Sequence, residues 1–280
     1  MYNRILLFVS ILALLYSCTG NNTDTPAEIK PTPGIPEPAN LPYTLMNAYP
    51  HDTSAFTQGF EIYNGFILES TGLLERSTLR KVDYKTGNII TQKKLDKDYF
   101  GEGLTVLKDT LYQLTWQNNV VLVYDPKSLA LIRKMTWSGD GWGISNDGQN
   151  LYISDGSDKL YVVRTTDMKL QKVVSVTDNY GPVNNVNELE FINGYIYANR
   201  WGSEVIYKID PSSGLVKGRI DLKDILAKNS KVDLGYLTKP GTVADSGAVL
   251  NGIAWDAASG RLLVTGKLWP YVFEIKVDNI

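Results

Sequence analysis

The sequence is poor in the residues that bind metals and form disulfides. Its 280 residues include one cysteine, Cys18, and one histidine, His51. A single cysteine excludes an intramolecular disulfide and a thiolate zinc cluster, and a single histidine excludes metal sites of the HExxH type. Most metal hydrolases and histidine-based triads are therefore excluded, and we expect neither a bound metal nor another cofactor. We expect His51, which follows Pro50, to be a turn residue.

The sequence also lacks a surplus of charge of one sign. It has 28 Lys and Arg against 30 Asp and Glu, for a formal net charge of −2. A protein that binds nucleic acid normally has a basic surplus, so no nucleic-acid partner is expected. Hydrophobic residues make up 43% of the chain and charged residues 21%, which are ordinary values for a folded globular protein.

The N-terminus resembles a targeting signal. Arg4 precedes an apolar run at residues 5–16, which is too short for a membrane span but fits the core of a signal peptide. The run ends in Leu15-Tyr-Ser-Cys18, which resembles the cleavage site of a bacterial lipoprotein. We therefore expect residues 1–17 to be a lipoprotein signal peptide and Cys18 to carry the lipid. The alternative is ordinary secretion with an unmodified Cys18.

A Pro- and Thr-rich stretch follows the signal. Prolines occur at positions 26, 31, 33, 36, 38 and 42, and such a segment cannot bury a core. We expect residues 18–42 to be a disordered tether and residues 43–280 to be one folded domain. The expected location is the bacterial cell envelope, periplasmic or facing the outer membrane, with the lipid holding a monomer to the membrane.

A three-residue motif, here called the anchor, recurs five times in the remaining sequence. It consists of a polar or aromatic residue, then usually glycine, then an apolar residue, as in Gln58-Gly-Phe60. The middle positions of the five copies are residues 59, 103, 143, 188 and 252. The first three spacings, 44, 40 and 45, match the length of a four-stranded propeller blade. The fourth spacing is 64 and contains an insertion at 221–248. Three of the turns that follow the anchors carry Asn-Gly or Asp-Gly, which is typical of a tight hairpin.

The repeats predict an all-β, five-bladed β-propeller. The last strand, Tyr271–Val277, meets the chain end before a fourth strand of its blade can form, which would leave an open sheet edge. We expect Tyr43–Tyr49 to pair into this last blade and close the ring. The alternative, a β-sandwich, would not generate five copies of one anchor.

The repeat also predicts that a set of mostly polar residues surrounds the central channel. The innermost strands of a propeller line its central channel, so residues at one repeat position form a ring. The residues immediately before the middle positions of the anchors, here called the ring positions, are Gln58, Glu102, Trp142, Asn187 and Asn251. Four are polar where an ordinary strand would carry Val or Ile. They predict a ligand pocket, and the alternative is a purely structural hydrogen-bonded ring.

Aromatic residues are predicted to surround this ring. Trp116, Trp201 and Trp269 follow equivalent strands, with Lys267 just before Trp269, while Phe56 and Phe100 each precede a ring position by two residues. They indicate a pocket for a small polar ligand with an apolar body. Glu102 is the only carboxylate in the ring. Burial would raise its pKa and Lys267 would lower it, and the sequence does not decide which effect is larger.

From about Tyr49 to Lys276 the chain resembles the plant-type glutaminyl-peptide cyclotransferases, also called glutamine cyclotransferases, which include bacterial members. The resemblance is carried by motifs in the family's order: Tyr49-Pro-His-Asp, Phe56-Thr-Gln-Gly-Phe-Glu, Phe100-Gly-Glu-Gly-Leu-Thr, Gln113-Leu-Thr-Trp-Gln, Asn187-Glu-Leu-Glu, Tyr197-Ala-Asn-Arg-Trp, Leu250-Asn-Gly-Ile-Ala-Trp-Asp and Thr265-Gly-Lys-Leu-Trp-Pro.

The resemblance implies a five-bladed propeller that converts the N-terminal glutamine of peptides to pyroglutamate and releases ammonia, without the zinc of the animal-type enzymes. It implies that Glu102 transfers the proton. The expected catalytic residues are Glu102 and Lys267. The expected substrate-binding residues are Phe56, Gln58, Phe100, Trp116, Trp142, Asn187, Trp201, Asn251 and Trp269.

Two other functions are consistent with a propeller. One is a surface-anchored binding module without catalysis. The other is a metal-dependent lactonase with Glu102, Asn187 and Asn251 as oxygen ligands, which would need a second central carboxylate such as Asp155.

Overall fold

The structure is a computed structural model and describes residues 30–238 and 247–280. The predicted signal peptide, Cys18 and the first part of the predicted tether lie outside the described residues. No helix in the described part of the chain is long and apolar enough to cross a membrane.

The described chain forms five four-stranded antiparallel blades, which confirms the predicted five-bladed propeller. Two strands precede the first blade: β1 (Ala39–Asn40) and β2 (Tyr43–Pro50). Blade 1 contains β3 (Thr57–Tyr63), β4 (Phe66–Thr71), β5 (Thr78–Asp83) and β6 (Asn88–Lys94). Blade 2 contains β7 (Gly101–Leu107), β8 (Thr110–Thr115), β9 (Val120–Tyr124) and β10 (Leu131–Thr136).

The remaining blades follow the same order. Blade 3 contains β11 (Ile144–Asn146), β12 (Asn150–Ser154), β13 (Lys159–Arg164) and β14 (Leu170–Ser175), and is followed by a small hairpin of β15 (Thr177–Asp178) and β16 (Gly181–Pro182). Blade 4 contains β17 (Val186–Ile192), β18 (Tyr195–Arg200), β19 (Val205–Ile209) and β20 (Val216–Asp221). A short helix α1 (Ile225–Asn229) and a 3₁₀ turn (Gly235–Thr238) lie in the insertion. Blade 5 contains β21 (Leu250–Asp256), β22 (Arg261–Gly266) and β23 (Tyr271–Val277).

The N-terminal strand closes the ring as predicted. β2 pairs antiparallel with β23, from Tyr43 opposite Val277 to Pro50 opposite Tyr271, and so supplies the fourth strand of blade 5. The outer edge of the last blade is therefore paired.

The ordered contacts begin before the predicted domain start at Tyr43. β1 pairs in parallel with β20, with Ala39 opposite Gly218, and the Leu41 side chain is buried in the core of blades 4 and 5. The prediction of a disordered tether as far as residue 42 is therefore wrong at its C-terminal end. The reason is that one apolar side chain and two backbone pairings attach this stretch to blade 4.

Two of the predicted hairpin turns have the backbone that Asn-Gly favours. Asn64 and Gly65 have φ values of 51° and 80°, and Asn193 and Gly194 have 49° and 88°. Two successive positive φ values are typical of a type I′ turn, whose twist matches that of the strands. The third turn differs, because Asp147 is not left-handed and its Oδ1 accepts hydrogen bonds from the backbone N–H groups of Gln149 and Asn150.

The apolar core lies between neighbouring blades. Leu114 and Val121 of blade 2 pack with Ile144 and Leu151 of blade 3, and the other blade pairs have equivalent clusters. The middle strands are buried on both faces for this reason, whereas the outer strands β6 and β10 are mostly exposed. The apolar cores hold the blades side by side and leave the channel to the inner strands.

Candidate active site

A local irregularity in each blade turns the ring positions toward the channel mouth. In four blades the pairing between the first two strands shifts register at the ring residue, as at Glu102, which lies between the pairs Gly101–Thr115 and Leu104–Gln113. In blade 3, Trp142 lies two residues before β11 and its backbone N–H donates to Ser154 O at 2.9 Å. A β-bulge leaves one residue unpaired and redirects its side chain.

Close contact between the inner strands explains the glycines that follow the ring residues. A Cβ atom on Gly103 would lie 2.8 Å from both Gly143 Cα and Trp142 O in the next blade. The Gly103 N–H also donates to Trp142 O at 2.7 Å. At this position a side chain would therefore clash with the neighbouring blade, and glycine allows the two backbones to approach closely.

These features form a cavity of about 330 Å³ at one end of the central channel. Nine residues line it, and all nine are among the predicted site residues: Phe56, Gln58, Phe100, Glu102, Trp116, Trp142, Asn187, Trp201 and Lys267. Among the described lining residues Glu102 is the only acid and Lys267 the only base.

Glu102 is buried in this cavity and its carboxyl group is unusually basic. Burial raises its pKa well above the usual range of a glutamate. The charge of Lys267 lowers the pKa and that of Asp140 raises it further, but both effects are smaller than that of burial. Burial is thus the largest of the three effects on Glu102, and it favours the protonated carboxyl group relative to that of an ordinary glutamate.

Lys267 is the cation of the same cavity. Its side chain is buried, and burial lowers its pKa to about 8 although Glu102 acts in the opposite direction. Its Nζ lies 4.7 Å from the centre of the Phe56 ring. The ammonium therefore titrates close to the pH at which a peptide α-amine does.

Gln58 connects Glu102 to a neighbour that does not line the cavity. Gln58 Nε2 donates to Glu102 Oε1 at 3.3 Å, while Gln58 Oε1 accepts a hydrogen bond from Asn251 Nδ2 at 3.3 Å. Asn251 Nδ2 also donates to the backbone O of Thr57 at 3.0 Å. These bonds orient the Gln58 amide so that its N–H group points to Glu102.

Asn187 presents an unused acceptor. Its side chain is 2% exposed, and its Oδ1 has no hydrogen-bond partner among the described residues. A buried polar atom without a partner is costly. Because Asn187 lines the cavity, its Oδ1 is available to a polar ligand there.

Aromatic rings form the wall and rim of the cavity. Phe100 packs edge-on against Phe56 and Trp116, with ring centres 6.3 Å and 5.7 Å apart. The Trp116 and Trp201 side chains are 39% and 42% exposed, so they stand at the rim. The arrangement suits a ligand whose polar group is buried and whose remaining part leaves between aromatic rings.

Two predicted substrate-binding residues do not line the cavity. Asn251 is fully buried behind Gln58, where it binds the Thr57 backbone. The backbone N–H of Trp269 donates a hydrogen bond to Gly266 O, which closes a turn. The Trp269 ring then packs against Phe273 in the core of blade 5. The prediction that these two residues contact the ligand is corrected.

His51 is held in the fold away from the cavity. One ring nitrogen lies 2.9 Å from Glu69 Oε1 and the other 2.8 Å from the backbone O of Trp269. His51 directly follows β2 and joins blades 1 and 5. His51 was predicted to be a turn residue, and the structure places it just before the turn at residues 53–54, with its ring bonded to both blades.

Glu188 has a structural role that was not predicted from the sequence. It occupies the anchor position that is glycine in the other four copies, and its carboxyl oxygens accept hydrogen bonds from the N–H groups of Phe60 and Ile253. It therefore connects blade 4 with blades 1 and 5 across the channel. The only signal in the sequence was the break in the glycine pattern.

The fold and site together define a five-bladed β-propeller with a buried carboxylic acid and an ammonium group in an aromatic-walled cavity. The family model described as glutamine cyclotransferase matches residues 10–277. A glutaminyl-peptide cyclotransferase of Arabidopsis thaliana is 42% identical over 238 residues, which cover 84% of this chain and 71% of that protein. The crystal structure of a glutaminyl cyclase from Myxococcus xanthus superposes with a TM-score of 0.76 at 36% identity, covering 86% of this chain and 99% of that one.

The chain belongs to the glutamine cyclotransferase family. The predicted family, and with it the prediction of an enzyme, are confirmed.

Proposed function

We propose that the protein cyclises the N-terminal glutamine of peptides to pyroglutamate and releases ammonia, with Glu102 as the proton-transfer group. Family membership and the names of both relatives support the reaction. The observation that supports the role of Glu102 is its position as the only acid among the described residues that line the cavity, with a pKa raised by burial.

The reaction is an intramolecular substitution at the γ-carboxamide carbon. The α-amine must be neutral to attack, and its pKa in a free peptide is about 7.7–8.0. A C–N bond forms from the α-nitrogen to the γ-carbon, and the bond to the amide nitrogen then breaks. The leaving nitrogen gains one proton and the attacking nitrogen loses one, so the proton count balances through a single shuttle.

Glu102 can act as that shuttle. Burial raises its pKa and so favours the protonated form relative to an ordinary glutamate. In that form it first donates its proton to the leaving amide nitrogen, and its carboxylate then accepts the proton of the attacking nitrogen. The released molecule is ammonia, and Glu102 returns to its starting state. Neither a metal nor another cofactor is needed for this proton balance.

The other polar residues have complementary roles in this proposal. The Lys267 ammonium stabilises the negative charge that develops on the γ-carbonyl oxygen. Asn187 Oδ1 accepts a hydrogen bond from the substrate amine or amide, since it has no other partner among the described residues. The Phe and Trp walls fold the flexible glutamine side chain toward its own amine, and such orientation is a large part of catalysis in intramolecular reactions.

The test is Glu102→Gln assayed for ammonia release from a Gln-Ala peptide. We expect kcat to fall by about 10²–10⁴-fold, the usual contribution of a positioned proton-transfer group. Glu190→Gln is the matched control, because Glu190 is also a buried carboxyl of an inner strand but lies outside the cavity lining and accepts the N–H of Trp255. Near-normal turnover by Glu102→Gln would overturn the assignment.

The lactonase alternative receives no support from the described residues. Asp155, the predicted second carboxylate, accepts hydrogen bonds from Tyr161 OH and Ser157 and does not line the central cavity. In the ranges 30–238 and 247–280 there is no group of three or more His, Cys, Asp or Glu side chains arranged to hold a metal. Ammonia release from Gln-Ala in the presence of EDTA separates the two functions, because a metal-dependent lactonase would give none.

We also propose that Cys18 is acylated after removal of residues 1–17 and holds the enzyme in a bacterial cell envelope. The support is the apolar run that ends at Leu15-Tyr-Ser-Cys18. Expression of Cys18→Ser should move the protein from the membrane fraction to the soluble fraction. Equal membrane recovery of both proteins would contradict the proposal.

A further inference from the structure

A second cavity, larger than the central one, lies between blades 2 and 3. It has a volume of about 400 Å³. We call it the blade 2–3 groove. Trp137 and Tyr161 form its aromatic wall, with ring centres 5.5 Å apart. Asp140, Asp155, Asp167 and Lys169 are the charged residues that line it.

Two of the three carboxylates of the groove have no ion-pair partner among the described residues. The third, Asp167, is paired with Arg164, whose guanidinium donates at 2.9 and 2.6 Å, and Lys169 Nζ lies 3.8 Å from its Oδ2. Asp155 accepts only neutral donors, Tyr161 OH and Ser157, and Asp140 is exposed. Among the described residues, neither Asp140 nor Asp155 forms an ion pair. Two carboxylates beside aromatic rings are a suitable environment for an ammonium or guanidinium group.

Two carboxylates of the groove, Asp140 and Asp155, lie near Trp142 in the chain. Trp142 lines the central cavity, and its ring lies so close to Gly156 that a Cβ there would be 2.6 Å away. Gly156 follows Asp155, and Asp140 precedes Trp142 by two residues, so both carboxylates are close in the chain to the Trp142 wall of the central cavity. The negative charge of Asp140 also acts on Glu102.

A polar cavity beside blade 1 is less suited to bind substrate by charge. It is smaller, at about 270 Å³, and Arg80 is its buried cation. Arg80 Nη1 already donates to Asp52 at 2.8 Å and lies 3.7 Å from Glu69. Its charge is therefore compensated within the protein, unlike that of Asp140 and Asp155.

We propose that the blade 2–3 groove is a subsite for a Lys or Arg side chain located one or two residues after the N-terminal glutamine of a peptide substrate. The inference rests on the proposed function, which places the glutamine in the central cavity. An extended peptide advances about 3.3–3.6 Å per residue, so only the first residues after glutamine pass the Trp142 wall. Substrates with a basic residue there are bound more tightly, and acidic ones are repelled.

The experiment compares amide-capped peptides Gln-Xaa-Ala and Gln-Ala-Xaa in which Xaa is Lys, norleucine or Glu. Norleucine keeps the length of the lysine side chain and removes its charge. The readout is the ratio of kcat/KM for Lys to that for norleucine, measured by ammonia release. We expect a ratio of about 3–10 in at least one position at low salt, decreasing at high salt because the charges are close to solvent.

The double variant Asp140→Asn/Asp155→Asn should reduce this ratio to about 1. Because Asp140 also affects Glu102, the absolute rates can change, but the ratio cancels a change common to both peptides. Asp98→Asn is the matched control, since Asp98 is exposed in the equivalent loop one blade earlier, outside the groove, and should keep the wild-type ratio.

A wild-type ratio of 1 in both peptide positions, or a lysine preference that persists in the double variant, would overturn the subsite. Absence of turnover with every peptide would instead contradict the proposed function. The two failures are therefore distinguishable. Thermal unfolding of the double variant confirms that it is folded, and the asparagine oxygen at position 155 can still accept the hydrogen bond from Tyr161.

Discussion

Asn251 donates a hydrogen bond from Nδ2 to Gln58 Oε1 at 3.3 Å, and this bond determines which end of the Gln58 amide faces Glu102. Asn251 was predicted to contact the ligand, but it lies behind Gln58. The amide orientation leaves a donor next to Glu102 Oε1, so the carboxyl proton is favoured on the other oxygen. Asn251 thus positions the proton-transfer group through Gln58.

The first prediction concerns this positioning residue. Asn251→Leu should lower kcat about 10-fold while KM changes little, because Gln58 loses the bond that orients it but the aromatic walls remain. The measurement is the kcat and KM of Gln-Ala cyclisation, with a melting curve for each variant. Asn251→Asp replaces the Nδ2 donor by an oxygen that can only accept, so its kcat should fall by a similar factor. A rise in KM without a fall in kcat would indicate a direct substrate contact instead.

The second prediction concerns the pH dependence of activity. kcat/KM should rise with pH up to about 8, because the α-amine of the substrate has to lose its proton. Above about pH 8 it should fall, since Lys267, whose pKa is lowered to about 8, loses the charge that stabilises the oxyanion.

Lys267→Met tests the assignment of the alkaline limb. The variant should lose about 10²-fold in kcat/KM, comparable with the loss of one oxyanion donor. Its profile should also lack the limb near pH 8, and the pKa of Glu102 should rise further without the nearby cation. Lys217→Met, at an exposed position on β20, serves as the control with an unchanged profile. An alkaline limb that stays near pH 8 in Lys267→Met would contradict the assignment, whereas a limb that is due to Glu102 would move to higher pH.

Much of the site could be predicted from the sequence, because residues at the same position of the repeat occupy equivalent places in the blades. Ring positions such as Glu102 and Asn187 follow from equivalence between blades, and Trp116 and Trp201 follow from the ends of equivalent strands. Trp269 is the exception. It lies three residues beyond β22 rather than directly after a strand, and the turn at Gly266 folds it back into the core.

The hydrogen-bond partners of the polar side chains near the channel could not be predicted from the sequence. Asn251 and Asn187 occupy equivalent positions, but one amide binds the Thr57 backbone and the other faces the cavity. Likewise, Glu188 appeared only as a break in a glycine pattern, whereas the fold uses its carboxyl to join three inner strands. Such differences depend on the neighbouring blade, which is distant in sequence.

The third prediction concerns the contact between inner strands. Gly103→Ala should destabilise the protein by about 3 kcal/mol or more, because the new Cβ would lie 2.8 Å from backbone atoms of blade 3 that cannot move aside. Urea unfolding measures the change. Gly235→Ala is the control, since the nearest atom to its Cβ is a side-chain oxygen of Asp233, at 3.2 Å, which can rotate away. Equal stability of both variants would show that the inner strands are not in close contact.

The fourth prediction is that folding stability decreases between about pH 5 and pH 8. Burial raises the pKa values of Glu188 and Glu190 well above their usual range and that of Glu61 to about 7. A carboxyl whose pKa is raised on folding binds protons more tightly in the native state, so its stabilising contribution is complete at acidic pH. That contribution is lost as the pH rises through the folded-state value.

His51 acts in the same direction, because its pKa is raised in the fold, chiefly by the charge of Glu69 against the opposing effect of burial. Its contribution is present below its ordinary pKa and is lost as the pH rises. Glu69, whose pKa is lowered by His51 and Arg80 despite burial, contributes stability that is lost only in acid. Urea unfolding at pH 5.5, 7 and 8 should therefore show the highest midpoint at pH 5.5.

Glu61→Gln identifies one source of this slope. Glutamine is neutral at every pH, and its carbonyl oxygen can still accept the hydrogen bond that the Val106 N–H donates to Glu61. The variant should therefore lose part of the decrease in stability between pH 5.5 and 8, while its stability at pH 5.5 stays close to that of the wild type. Glu37→Gln, an exposed position that precedes the first strand, should retain the full decrease. An unchanged slope in Glu61→Gln would mean that the pKa of this carboxyl is not raised in the folded state.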